Sequence, residues 1–268
     1  MRYILRFALA LIIALPLIQH STLPAGATEG FTVSTVAREP LADSKVSELV
    51  GRAVGADCAF EFPEIVIEEY GTRVVRVIGV DPDDCRLLLE EGTPITEPSL
   101  PSRGKGVRFD SVEADPIPAQ AQNPPGAEAS FAAAAVQRLR GYHVVRYQDP
   151  VGITVNSVVT EIWWTFNGSC AYSGSTWGSF SWASWSGWVR NSYAVEQSID
   201  PSCKWYRGSS RATYSNAQFC PPKTWAYYNY VNTVGYNNGN VGVGRFTSTA
   251  GSCWDWLGVS FWYGKEPA

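Results

Sequence analysis

The sequence predicts a mainly β protein. A C-terminal antiparallel β-sandwich, jelly-roll-like, is expected over residues 142–268, preceded by a small N-terminal α+β unit over residues 28–92. Three observations carry this expectation. From Tyr142 onward the chain is rich in Gly, Ser, Thr, Asn, Trp and Tyr and poor in charge, which suits pleated surfaces and tight turns. Apolar residues recur there with a period of two and no helical segment lies between them, the pattern of a sandwich or barrel. Asn238-Gly239 marks a two-residue hairpin turn.

Taken from the N-terminus, Arg2 and Arg6 precede an apolar run from Phe7 to Ile18, and small residues end in Ala25-Gly26-Ala27. A basic start, an apolar core and an A-x-A ending are the pattern of a secretory signal, so residues 1–27 are expected to be cleaved and the protein to be secreted. In the α+β unit, Val46, Leu49, Val50, Ala53 and Val54 fall at helical spacing, with Asp43 or Ser44 as cap and Gly55 as stop. Ile65–Ile67, Val74–Val80 and Leu87–Leu89 are short apolar runs bounded by Gly, Pro or Asp and read as strands. Residues 93–126 hold Pro94, Pro98, Pro101, Pro116, Pro118, Pro124 and Pro125 and read as a linker or extended arm. Residues 127–141 then read as a short alanine-rich helix ending at Gly141, with Arg138 and Arg140 suited to its C-terminal dipole.

Three stretches of the sandwich region show the alternation directly. Val158, Ile162, Trp164 and Phe166 alternate with Val159, Glu161, Trp163 and Thr165. Trp185, Val189, Tyr193, Val195 and Ile199 share one parity, and Trp188, Arg190, Ser192 and Glu196 the other. Near the C-terminus, Leu257, Val259, Phe261 and Tyr263 oppose Trp254, Trp256, Ser260 and Trp262.

Six cysteines in an exported chain favour three disulfides, and no C-x-x-C pair suggests zinc or thiol redox chemistry. Cys58 and Cys85 flank the small unit and are expected to pair, a staple worth about 3–4 kcal/mol on the chain-entropy model. A hairpin centred on Asn238-Gly239 sets Cys253 opposite Thr224, near Cys220. That register favours Cys220–Cys253 and leaves Cys170 for Cys203.

The residues restrict the chemistry. Net charge is −8 over residues 28–140 and +2 over residues 141–268, and neither half carries the basic stripe that nucleic acid requires. This asymmetry, with all eleven tryptophans lying between Trp163 and Trp262, suggests two regions. No later segment is long and apolar enough for a transmembrane helix. His143 is the one histidine outside the signal, read as a surface or strand-edge residue, so multi-histidine metal sites are excluded. Asp81, Asp83 and Asp84 do not match a calcium loop, so no metal and no cofactor is expected. G-x-S-x-G, H-E-x-x-H, P-loop and G-x-G-x-x-G motifs are all absent, which leans against an enzyme.

Tryptophans on both strand faces are the positive signal. Flat rings beside polar groups match a sugar, whose C–H face packs on indole while its hydroxyls hydrogen-bond. The expected role is therefore non-catalytic binding of a polysaccharide or cell-envelope component by Trp163, Trp188, Trp256 and Trp262, with Glu161 and Arg190 as hydrogen-bonding groups. Parity does not say which face turns inward, so the same rings serve equally well as core. A glycoside hydrolase using Glu161 and Glu196 is the main alternative, and needs carboxylates ~5–10 Å apart. A structural envelope protein, or a pro-protein with a cleavable acidic N-terminal region, uses the same features.

Overall fold

The structure is a computed structural model and describes residues 31–33, 39–54, 57–96, 110–118 and 136–268. The expected signal, residues 1–27, and most of the proline-rich stretch lie outside these. The described strands are β1 Thr32–Val33, β2 Leu41–Val50, β3 Arg52–Val54, β4 Asp57–Ile67, β5 Gly71–Asp81, β6 Arg86–Pro94, β7 Asp110–Pro118, β8 Gln137–Gln148, β9 Thr154–Phe166, β10 Ala171–Trp182, β11 Trp188–Ile199, β12 Trp205–Asn216, β13 Thr224–Tyr236, β14 Val241–Gly251 and β15 Gly258–Pro267. Two 3-10 turns, Ser184–Ser186 and Trp254–Trp256, complete the elements.

All pairings are antiparallel and build two sheets. The first runs β2-β6-β5-β15-β8-β9-β10-β7, with β1 against the end of β5. The second runs β11-β12-β13-β14-β4-β3. Tyr206, Tyr214, Tyr228, Val231 and Val243 of the second sheet pack on Val145, Val158, Ile162, Trp164, Phe180 and Phe261 of the first. This is the mainly-β sandwich the alternation predicts, and several inward polar groups are matched across it. Thr160 Oγ1 donates to the Val231 carbonyl at 2.7 Å, Thr233 Oγ1 to the Thr160 carbonyl at 3.0 Å, and Trp164 Nε1 to the Tyr236 carbonyl at 3.0 Å.

The helix expected over residues 43–54 is strand instead. β2 pairs along its length with β6, from Leu41 opposite Pro94 to Val50 opposite Arg86. Val46, Val50 and Val54 stay exposed, so their helical spacing marks no buried stripe. β-branched residues beside an available strand edge favour the ladder. The N-terminal strands share the sheets of the C-terminal half: β4 pairs with β14 and β5 with β15.

The second expected helix is also corrected where it is described. Residues 137–141 belong to β8, clamped between β9 and β15, and residues 127–135 lie outside the described set. Within the expected linker, Thr93 and Pro94 end β6, and Asp110–Pro118 forms the edge strand β7 on β10. Pro116 and Pro118 are tolerated there because one side of an edge strand needs no donors. The Asn-Gly hairpin closes on three residues rather than two. Gly239 N–H donates to the Tyr236 carbonyl, and Gly239 adopts φ +84°, a left-handed position that favours glycine. This turn and a bulge between Tyr228 and Tyr230 each shift the register by one, so Gly251, not Cys253, faces Thr224.

All three expected disulfides are present: Cys58–Cys85, Cys170–Cys203 and Cys220–Cys253. His143 is not at the surface. It is 1% exposed between the sheets, with Nδ1 3.1 Å from the Asn232 carbonyl and its ring edge-on to Phe261. No helix among the described residues is long and apolar enough to cross a membrane.

Candidate binding groove on the second sheet

The residues singled out by sequence are dispersed by the fold. Trp188 points into the sandwich beside Phe219 and is 1% exposed. Trp262 is enclosed in a second apolar cluster with Tyr142, Val144, Val159 and Trp177, on the side of the first sheet away from the sandwich core. Trp163 lies half-buried beneath Arg140, whose guanidinium sits 5.6 Å from its ring. Trp256 alone of the four is exposed, in the turn before β15. Arg190 stacks on the rings of Trp182 and Tyr193 at 4.7 and 4.3 Å. Glu161 is buried in an ion pair with Arg140, Nη2 to Oε1 2.8 Å and Nε to Oε2 3.1 Å. Trp163 packs against the Trp262 cluster and Glu161 lies beside it, but Trp188, Trp256 and Arg190 sit elsewhere, so the six do not meet in one site.

Nor do the two carboxylates of the hydrolase reading. Glu161 faces outward from the first sheet, since its neighbours Thr160 and Ile162 face the core. Glu196 faces outward from the second, paired with Arg211, since Gln197 turns inward to the Tyr206 hydroxyl. The whole sandwich separates them. Two sheets stacked ~10 Å apart, with side chains on both outer surfaces, exceed the span of a hydrolytic pair.

The feature that stands out lies on the outer face of the second sheet. On β13 the inward residues are Thr224, Ala226 and Tyr228, then Val231 and Thr233, because a bulge between Tyr228 and Tyr230 shifts the parity. Trp225, Tyr227, Tyr230, Asn232 and Tyr236 consequently share the outer face. Trp225 and Tyr227 stack at 5.8 Å, and Lys223 lies 4.1 Å from the Trp225 ring. Trp205 stands opposite Tyr236 on β12, beneath the Arg207 guanidinium at 4.6 Å.

An open groove of about 860 Å³ runs across this face. Glu61 and Glu64 of β4 form one wall; Glu196, Arg207 and Arg211 form the other. The floor is Ser209, Asn229, Asn232, Tyr230 and Gly244. Tyr230 donates its hydroxyl to Glu61 at 2.6 Å, and Tyr236 donates to Glu64. Burial, and next the carboxylate beside it, push each of these phenols up to about 12. Both remain protonated donors near neutral pH.

Two features leave this groove ready for a ligand. Among the described residues, Asn232 Oδ1 and Arg207 Nε are buried without a hydrogen-bond partner, an acceptor and a donor on its floor and wall. At Gly244 a Cβ would meet nothing within 4 Å, so the floor there is bare. Among the described residues no cluster of histidine, cysteine and carboxylate could hold a metal ion. From Glu61 to Glu196 the sheet crosses four strand spacings, ~19 Å along its surface, so these acids are not a close pair either.

Compared with known family models, with characterised proteins and with solved structures, the chain matches none. The groove is therefore read from its own chemistry. Sequence reasoning passed over Trp205, Trp225, Tyr230 and Tyr236. The density of rings in Trp225-Ala226-Tyr227-Tyr228-Asn229-Tyr230 was the available signal, but the bulge inside that run breaks the alternation a parity count relies on.

Proposed function

We propose that this is a secreted, non-catalytic binding protein whose groove on the second sheet takes an extended polysaccharide chain. The observation that carries the reading is the conjunction on one open face of half-buried rings and unpartnered polar atoms. Tyr230 offers a ring on the floor, with Tyr236 beside it bonded to Glu64, while Asn229, Ser209, Glu61, Glu64 and Arg211 line the groove with donors and acceptors and Asn232 Oδ1 and Arg207 Nε lie just beneath its surface without partners. A volume of about 860 Å³ has room for several sugar units and falls within the usual size of ligand sites. Three carboxylates against two guanidiniums leave the walls nearly balanced, which suits an uncharged glycan. Secretion is supported by the basic-apolar-small N-terminus and by the pairing of every cysteine.

The test is retention of the purified protein on insoluble cellulose, chitin and xylan. Gly244→Trp fills the floor where nothing opposes a side chain, and Asn232→Ala removes the free acceptor. Retention on at least one of these matrices, lost in Gly244→Trp while the melting temperature holds, supports the groove. Retention that survives in Gly244→Trp moves the site elsewhere. Release of reducing sugar from any matrix overturns the non-catalytic reading.

A further inference from the structure

We infer that one end of the sandwich docks on a zwitterionic lipid bilayer. The register fixes which turns share that end. In the first sheet Trp182 pairs with Asn156, Asn156 with Tyr147, and Tyr147 with Val259. In the second, Trp188 pairs with Asn216, Asn216 with Thr224, and Thr224 with Gly251. Ala183 N–H donates to the Val155 carbonyl where the chain passes from one sheet to the other, so the two rows meet. The turns 149–153, 183–187 and 252–257, and the short strand β3, therefore project together.

These projections carry Val54, Val151, Ile153, Trp185 and Trp256, with Val189 close by at the start of β11, and their exposures run from 40% at Ile153 to 70% at Val151. At the opposite end the exposed apolar groups among the described residues are Val66, Tyr70, Ile95 and Val136, none of them a tryptophan. A scatter of single exposed residues is ordinary; five on adjoining projections at one end, two of them tryptophan, are a surface. The turns are held in shape independently of any partner. Asp149 Oδ1 accepts from the N–H groups of Val151 at 3.1 Å and Ile153 at 2.8 Å. Cys253, bridged to Cys220, immediately precedes the turn bearing Trp256, and Cys58–Cys85 pins the base of β3 and β4. Rigid turns thus hold their apolar tips in water.

The shape and the side chains select the partner. Separate tips do not make the flat, continuous face that a protein partner buries, whereas a fluid interface closes around each tip. Two of them end in indole, which prefers the boundary between headgroups and acyl chains. Burying each tip gains roughly 25 cal/mol per Å² of apolar surface. Around them, Asp83, Asp84, Asp149 and Asp255 stand against Arg52 and Lys223, with Arg86 already paired to Asp81, so the rim has no basic excess to draw anionic lipid. Zwitterionic headgroups are the match.

The experiment is co-sedimentation with phosphatidylcholine vesicles, using protein purified from the medium of an exporting host, with tryptophan emission recorded alongside. Wild type should sediment with a blue-shifted emission, and 1 M NaCl should not release it. The combined variant Val151→Asp, Trp185→Ala, Trp256→Ala should lose at least tenfold in partitioning. Val66→Asp with Tyr70→Ala, at the other end, should keep it, as should Gly244→Trp in the groove. If the triple variant loses its native circular dichroism, Trp185→Ala and Trp256→Ala tested singly should each weaken partitioning severalfold. Wild type that stays in the supernatant overturns the inference. So does equal loss at both ends, or a vesicle-free dimer that these same tip substitutions dissociate.

Discussion

The Tyr236 hydroxyl on β13 reaches the Glu64 carboxylate on β4 across β14, and Gly242 of β14 is what leaves the path open. A Cβ at position 242 would crowd Glu64 Oε1, yet the carboxylate is the far end of a flexible side chain and can swing aside. Gly242→Ala is therefore expected to break the Tyr236–Glu64 bond and lower glycan retention, while thermal unfolding stays near wild type. Gly244→Ala has open space before it and should be neutral or stabilise by about 0.4–1 kcal/mol through a less flexible unfolded chain. Denaturant melts of the two variants, beside their retention on matrix, check this contrast.

Glu161 is expected to matter for stability alone. Its two hydrogen bonds hold Arg140, which also pairs with Glu266 and lies beside the rings of Tyr142 and Trp163. Glu161→Gln leaves the guanidinium half-partnered in a buried place and should cost about 1–3 kcal/mol. Glycan retention should be unchanged, because the groove is on the other sheet. A loss of binding without a loss of stability would show that Glu161 belongs to a site after all.

His143 should impose an acid dependence on folding. Burial, with Arg245 nearby, drops its pKa from the model-peptide value of 6.5 to about 3. In the unfolded chain the ring takes a proton near pH 6.5; in the folded chain it does not. Stability is thus fully present above pH 6.5 and falls as pH drops towards 3, by at most about 1.4 kcal/mol per pH unit. Urea melts between pH 7 and 5 should show this slope, before most carboxylates titrate. His143→Gln, which keeps a donor for the Asn232 carbonyl, should flatten it.

Cys220–Cys253 closes a loop with a sequence separation of 33 residues. On the chain-entropy model its loss costs about 3–4 kcal/mol. A Cys220→Ser, Cys253→Ser double variant should melt lower by that amount, and its Trp254–Trp256 turn should exchange amide hydrogens faster than the rest of the fold.

Much of the architecture was legible before any coordinates. Alternation around Ile162, Val195 and Phe261 announced strands, because a half-buried pleat writes a period of two into the sequence. The three cysteine pairs were also legible, although the hairpin register behind Cys220–Cys253 was displaced by one residue at the longer turn at Gly239 and by another at the bulge in β13. Val46 to Val54 misled, since valines at helical spacing become strand once a neighbouring edge such as β6 is offered.

The sequence by itself determined that this chain is a disulfide-bonded β protein with more aromatic rings than one strand face absorbs, since composition and period are local properties. Only the tertiary structure decided which rings are inside. Trp188 and Trp262 are enclosed, Trp256 stands free, and Tyr230 reaches the groove, with Tyr236 on the same face, after the bulge in β13 reverses their side. Parity tells one face from the other, but which face meets water depends on the layer that packs against it, and that layer is built from residues far away in the chain.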